Sequence, residues 1–195
     1  MEEYKLIVDY PNYEVSNIGN VRNKTTGRIL KATLILNNGY LKVGLSKKKV
    51  RKTIDVHKLV SNAFLNNPDD KNCVDHINNN RTDNNVSNLR FATKTENGRN
   101  RIMNQNNTSN VKGVSFHKLV KKWRAKITID GIGVHIGYFE NIEDAKQARM
   151  KKANEIFGEF VNDCEKLPSI KLKSTVKLFK AIDDLLNKIN QLIHL

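Results

Sequence analysis

Residues 73–101 read CVDHINNNRTDNNVSNLRFATKTENGRNR, and the rest of the chain is interpreted outward from them. A short apolar run ends in Asp75-His76. A long Asn-rich polar loop follows, and a second short run, Leu89-Arg90-Phe91-Ala92, returns the chain. Thr93 with Glu96 three positions on has the spacing of a capping box, which predicts a helix from about Thr93. The predicted order is strand, loop, strand, helix. A strand pair joined to a helix in this way brings Asp75, His76, Asn88 and Asn97 to one point, although 12 residues separate His76 from Asn88 and 9 separate Asn88 from Asn97.

These residue types suit hydrolysis of a phosphodiester. A hard divalent cation such as Mg²⁺ (or Mn²⁺) takes oxygen ligands. Asp75 offers a carboxylate and Asn97 a carboxamide oxygen, with phosphate and water to complete the shell. His76 is neutral near pH 7 and can take a proton from an attacking water. Asn88 is expected to hold the loop and orient His76.

Composition narrows the class. The 195 residues suit one or two small domains with a buried core. Hydrophobic residues are 38% and charged residues 28%, and no run approaches the ~20 apolar residues of a membrane span. The first ten residues, MEEYKLIVDY, lack the pattern of a secretory signal, so the protein is expected inside the cell, where its target DNA lies, and not secreted. Two cysteines, Cys73 and Cys164, without a Cys-x-x-Cys, argue against a disulfide scaffold or a thiolate zinc site. The formal net charge is +14, which points to a polyanion partner, nucleic acid first. The excess is +8 over residues 1–103, +4 over 104–162 and +2 over 163–195, so it is no isolated basic tail.

Either side of residues 73–101, periodicity supplies the remaining elements. Val15, Val21 and Ile29-Leu30 fall in short apolar stretches separated by turn residues. Leu41, Val43 and Leu45 alternate with polar positions, and Lys47, Lys48, Lys49, Arg51 and Lys52 stand where a hairpin tip would present them to phosphates. From His57 to Pro68 the period becomes helical, with Asn66-Asn67-Pro68 as the stop. Asn104–Ser109 reads as a linker. Strands are predicted over Val111–Phe116, Trp123–Ile129 and Gly133–Phe139. A helix follows over 141–157, with Asn141 as N-cap and Gly158 as its stop. Leu178, Ile182, Leu185, Leu186, Ile189, Leu192 and Ile193 predict a C-terminal helix that packs on its own protein or a neighbour.

The elements VHKLVSNAF, VDH, NNNVSNL and TKTEN, within residues 57–101, resemble the HNH homing endonucleases, specifically the zinc-free phage type. The resemblance implies Asp75 and Asn97 as metal ligands, His76 as general base and Asn88 as the middle Asn; the final position is Asn where many HNH enzymes have His. His57 stands at a recurrent family position and is read as structural. YPNYEVSNIGNVRN resembles the small N-terminal NUMOD-type module. Residues 111–160 are similar to the plant Apetala-type (ethylene-response-factor) DNA-binding domain, through Lys112–Val114, Trp123–Ile127, Gly137–Phe139, Glu143–Ala145 and Gly158–Phe160. That resemblance implies a sheet entering the major groove, with Lys112, Trp123, Arg124 and Lys126 at or beside DNA. Ser115 stands where the plant pattern has Arg, so base preference does not carry over.

The expected fold class is α+β. Its expected parts are a β-rich module over 1–55, a ββα-metal nuclease unit over 56–103, a linker over 104–110, a three-stranded antiparallel sheet plus helix over 111–162 and a tail over 163–195. The expected activity is site-specific, homing-type cleavage of double-stranded DNA with one divalent metal, by nicking, in a monomer; a dimer through the C-terminal helix is the alternative assembly. Competing readings are a non-catalytic, sequence-specific DNA-binding regulator and an RNA-binding protein. The latter lacks the stacking aromatics of RNA-recognition sheets.

Overall fold

The computed structural model describes residues 1–167; the expected C-terminal helix lies outside the described residues. Met1–Glu165 forms one unit, built from four small antiparallel sheets, three α-helices and three short 3-10 turns among the described residues. Strands β1 (Tyr4–Leu6), β2 (Tyr13–Ser16) and β3 (Val21–Asn23) pair in that order. A second sheet holds β4 (Thr33–Ile35), β5 (Tyr40–Lys47) and β6 (Val50–Asp55), followed directly by α1 (Val56–Phe64). Strands β7 (Cys73–His76) and β8 (Leu89–Ala92) make a two-stranded ladder, and α2 (Lys94–Arg99) follows. The last sheet has the order β11-β10-β9, from β9 (Val114–His117), β10 (Lys122–Ile129) and β11 (Ile132–Phe139), and α3 (Ile142–Phe157) lies against it.

The alternation in 41–45 sends Val43 and Leu45 inward, where they meet Val15, Val21, Val56, Leu59, Val60 and Leu89. This core spans the first two sheets, α1 and β8, so the ladder that carries Asp75 and His76 is anchored by residues far upstream. A second core places Ile127, Ala153, Phe157 and Val161 together, and beside it Ala125, Ala145 and Val114 pack closely because the helix side chains are small.

Several boundaries differ from the periodic reading. Helix α1 stops at Phe64, because Leu65 is already extended, before Asn66-Asn67-Pro68 is reached. Ile29 forms one isolated bridge with Arg22 and no strand. β9 begins at Val114 rather than Val111, because Gly113 takes φ +72° and turns the chain first. A Cβ at Gly113 would come within 2.6 Å of the Lys126 carbonyl, so only glycine fits. The capping box is present as read: Thr93 accepts from the Glu96 amide and Glu96 from the Thr93 amide. Asn141 caps α3, and Gly158 ends it with φ +52°.

One close approach ties the N-terminal sheet to the polar loop. Gly19, at φ +92°, sits where an added Cβ would lie 2.9 Å from the Asn84 Cβ, and the Val86 amide donates to the Asn17 carbonyl at 2.7 Å. Replacing Gly19 by Ala imposes both a left-handed strain and a backbone shift in the loop. The expected loss is about 2 kcal/mol of stability, read as a lower urea midpoint at unchanged slope.

Candidate active site

The β7–β8 ladder pairs Asp75 with Arg90 and His76 with Leu89. The Asp75 and His76 side chains are almost closed off from water, each 4% exposed. Burying a carboxylate demands compensating donors. Arg90 supplies two, Nε at 2.9 Å and Nη2 at 2.7 Å from Asp75 Oδ2. Asn100 supplies the third: its Nδ2 lies 3.2 Å from Oδ1 and 3.0 Å from Oδ2, and also donates to the His76 and Ile77 carbonyls at 3.0 and 3.2 Å.

The His76 ring is held from the other side. Its Nε2 is 3.1 Å from Asn84 Oδ1, and the Asn84 amide nitrogen faces the Thr82 carbonyl at 3.4 Å. With that amide orientation, neutral His76 carries its proton on Nε2 and keeps Nδ1 as the basic nitrogen. Burial lowers the His76 pKa, opposed by the Asn84 hydrogen bond and the Asp75 charge, so the ring is neutral and basic at pH 7.

A cleft of about 370 Å³ opens over these groups, lined by Asp75, His76 and Asn97 together with Tyr40, Asn79, Arg81, Lys94 and Arg101. The structure thus brings the expected carboxylate, imidazole and carboxamide to one cleft and adds three cationic side chains. The oxygen donors lining the cleft are one carboxylate, Asp75, and the carboxamides of Asn79 and Asn97, to which a phosphate and water would add. That is a hard-oxygen set suited to Mg²⁺ or Mn²⁺. Among the described residues no group of three or more His, Cys, Asp or Glu is placed to hold a metal.

Asn88 lies behind the cleft. Its Oδ1 accepts from the Asn78 amide at 3.0 Å and its Nδ2 donates to the Asp83 carbonyl at 2.9 Å, so the side chain closes the loop, while Asn84 is the residue that meets His76. Other asparagines of the loop hold its backbone in the same manner. Asn78 Oδ1 receives the Asn80 amide, Asn80 Oδ1 the Thr82 amide and Asn85 Oδ1 the Ser87 amide. Sequence reasoning missed Asn84, Arg90 and Asn100. For Asn100 a signal existed, since it stands three positions after Asn97 and so comes back to the same side of a helical turn.

The expected DNA-facing residues divide. Lys48 and Lys49 form the two-residue turn between β5 and β6, both with positive φ, flanked by Lys47. Arg51 instead folds back, its guanidinium resting where a Cβ on Gly44 would be. Arg124 and Lys126 share the sheet face away from α3, beside Tyr138 and His135. Trp123 is on the opposite face, packed against the α3-side core and edge-on to Phe116 at 5.3 Å, because it alternates with Arg124 along β10. Lys112 is consumed internally: it pairs with Glu165 at 2.9 Å and donates to the Arg99 and Arg101 carbonyls.

This constellation, on two short strands, a polar loop and a capped helix, is of the HNH nuclease type. A family model described as the NUMOD4 motif matches residues 2–46, and one described as HNH endonuclease matches residues 63–99. The DNA endonuclease I-HmuI of Bacillus phage SP01 is 33% identical over 137 residues, covering 70% of this chain and 77% of that protein. The chain belongs to the HNH endonuclease family. Two uncharacterised HNH endonucleases of Acanthamoeba polyphaga mimivirus are 36% identical over 144 residues and 41% identical over 93; the matches take in 73% and 47% of this chain. The chain spans 39% and 23% of the length of those two relatives. A solved structure of the HNH homing endonuclease I-HmuI aligns with 80% of this chain and 83% of its own, at 28% identity and a TM-score of 0.49.

His57 is buried beneath the site, its ring 4.7 Å from Tyr40 and 5.2 Å from His76. Burial, then repulsion from His76, pushes its pKa from an ordinary 6.5 down to about 4. Unfolded, this histidine takes up its proton near pH 6.5; folded, it resists until about pH 4. Stability is therefore full above pH 6.5 and falls as pH drops toward 4, by up to ~3 kcal/mol from this group. Urea unfolding at stepped pH is expected to show that acid slope, and His57→Phe to flatten it.

Proposed function

We propose that the chain is a site-specific, homing-type DNA endonuclease that hydrolyses one phosphodiester bond per engagement with a single divalent cation, Mg²⁺ or Mn²⁺. The observation that carries the reading is the meeting of Asp75, His76 and Asn97 in one cleft with Arg81, Lys94 and Arg101 around it. Asp75 Oδ1 and the Asn97 carboxamide oxygen would hold the cation, since Arg90 occupies Asp75 Oδ2. A bound cation supplies Lewis-acid stabilisation of charge on the phosphate and the leaving oxygen. His76 Nδ1 takes the proton of the attacking water, and Asn84 holds the imidazole in the tautomer that allows it. The three cationic side chains receive the flanking phosphates.

Grip on a long duplex falls to two further surfaces. One is the face of the last sheet with Arg124 and Lys126, which we read as an Apetala-like DNA-binding domain over 111–162. The other is the Lys47–Lys49 tip. Two-residue hairpin turns with both central residues at positive φ favour Asn-Gly, and two lysines there cost about 1–3 kcal/mol each. Phosphate contact is the role that fits two lysines placed there against that strain. Lys48→Asn with Lys49→Gly is expected to raise the melting temperature, weaken DNA binding and lower the slope of log affinity against log salt by about 2.

Cleavage of supercoiled plasmid carrying the DNA that flanks the gene tests the activity. Relaxed circles are expected with Mg²⁺ or Mn²⁺ and no product with chelator; linear product at first turnover would require paired active sites. His76→Ala is expected to reduce cleavage by about 100-fold or more with DNA affinity within about twofold. Tight binding with no product under any cation would favour the non-catalytic regulator.

A further inference from the structure

The segment that leaves α3 returns to the back of the catalytic ladder. Arg90, whose other nitrogens hold Asp75, donates Nη1 to the Glu159 carbonyl and lies 4.2 Å from the Phe160 ring centroid. Asn162, 4% exposed, donates Nδ2 to the Asn100 carbonyl at 2.6 Å and approaches Asn100 Oδ1 at 3.3 Å. Asn100, 1% exposed, turns its own amide on Asp75. Lys112 and Arg149 both close on Glu165 at the end of the same segment. Two separate polar routes therefore run from residues 159–162 to the carboxylate that would hold the cation, one through a guanidinium and one through a carboxamide.

We propose that Asn162 is a positioning residue for cleavage: through Asn100 it fixes the direction of the Asp75 carboxylate, so the sheet-and-helix module completes the nuclease centre as well as holding DNA. The proposal rests on the endonuclease reading. The physical argument is one of freedom. The Asn100 side chain touches Asp75 through one NH₂ group, which also serves the His76 and Ile77 carbonyls, and its oxygen is approached at 3.3 Å by both Asn79 Nδ2 and Asn162 Nδ2. Asn162 adds what Asn79 does not: it also grips the Asn100 backbone carbonyl, at 2.6 Å, and so ties the side-chain oxygen to its own main chain from the far side. A buried amide bound at both ends has one orientation available, and the carboxylate against it inherits that orientation.

The test uses the full chain. Asn162→Asp keeps the shape and the acceptor for the Cys164 amide, now at 3.1 Å, but turns the donor to Asn100 into a buried carboxylate oxygen facing two acceptors; Asn162→Ala removes donor and acceptor without adding charge, so the proposal requires both variants to shift. Asn141→Ala, which strips the α3 cap at a distance from this path, is the control for loss of module stability. Three readouts are taken: hydrogen exchange of residues 73–79 in the metal-free protein, single-turnover cleavage at saturating DNA across a Mn²⁺ series, and DNA affinity. Both Asn162 variants are expected to exchange 73–79 at least tenfold faster, to need at least fivefold more Mn²⁺ for half-maximal rate, and to bind DNA within twofold of the parent. Asn141→Ala is expected to leave exchange at 73–79 and the Mn²⁺ midpoint within twofold. Unchanged exchange and an unchanged Mn²⁺ midpoint in either Asn162 variant overturn the proposal, as do equal shifts in Asn141→Ala. A parent protein that cuts nothing, with exchange at 73–79 still faster in both Asn162 variants, overturns the endonuclease reading and leaves the structural linkage standing.

Discussion

A carboxylate taken out of water and still available for chemistry is the constraint around which this molecule is arranged. Asp75 is 4% exposed, and two groups answer for its charge: the Arg90 guanidinium, 2.7 Å away across the β7–β8 ladder, and the Asn100 amide. Removing one partner from such a pair typically costs about 3–5 kcal/mol, comparable with half the stability of a small domain. The ladder's register, the cap that starts α2 and the return of the chain after α3 all serve to keep those donors in place. Because both ends of Asp75 are committed in different ways, its two oxygens differ: one is taken up by arginine, and the other has only a shared amide hydrogen as competitor.

His76 shows the same arrangement in a neutral group. Its environment combines desolvation, which disfavours the cation, with an acceptor at Nε2, which selects the tautomer. His57 beneath it, stacked against Tyr40, adds a second ring that resists protonation, so both buried imidazoles stay uncharged in neutral solution. The acceptor itself, Asn84, is pressed by the bare backbone of Gly19, which links the module over 2–46 to the orientation of one imidazole.

Much of this was legible in residues 73–101, because strand, capping box and helix leave local signatures in residue order. Thr93 and Glu96 announce a helix start by spacing alone, and Asp75, His76 and Asn97 then converge by geometry. The period-2 alternation along β10 sets Ala125 and Ile127 apart from Arg124 and Lys126, and the same parity shows why Trp123 stands with the core. What stayed hidden depended on distant pairing. Lys112 looked like a free cation because Glu165, 53 positions later, leaves no mark near it. Asn88 and Asn84 are chemically alike and four positions apart, and only the folded loop tells which meets the imidazole. The short β1 and β4 carry too few residues for periodicity to register.

The turn of chain over 158–165 also bears on how such proteins are assembled from parts. A joint placed in the stretch 104–110 separates two modules neatly on paper, yet Glu159 and Asn162 beyond that joint touch Arg90 and Asn100 before it. A chimera that exchanges everything after residue 110 would give the Asp75–His76 ladder a foreign backing. The unit that holds together is the β7–β8 ladder with α2 and this returning turn, which makes the practical boundary a surface in space and not a single position along the chain.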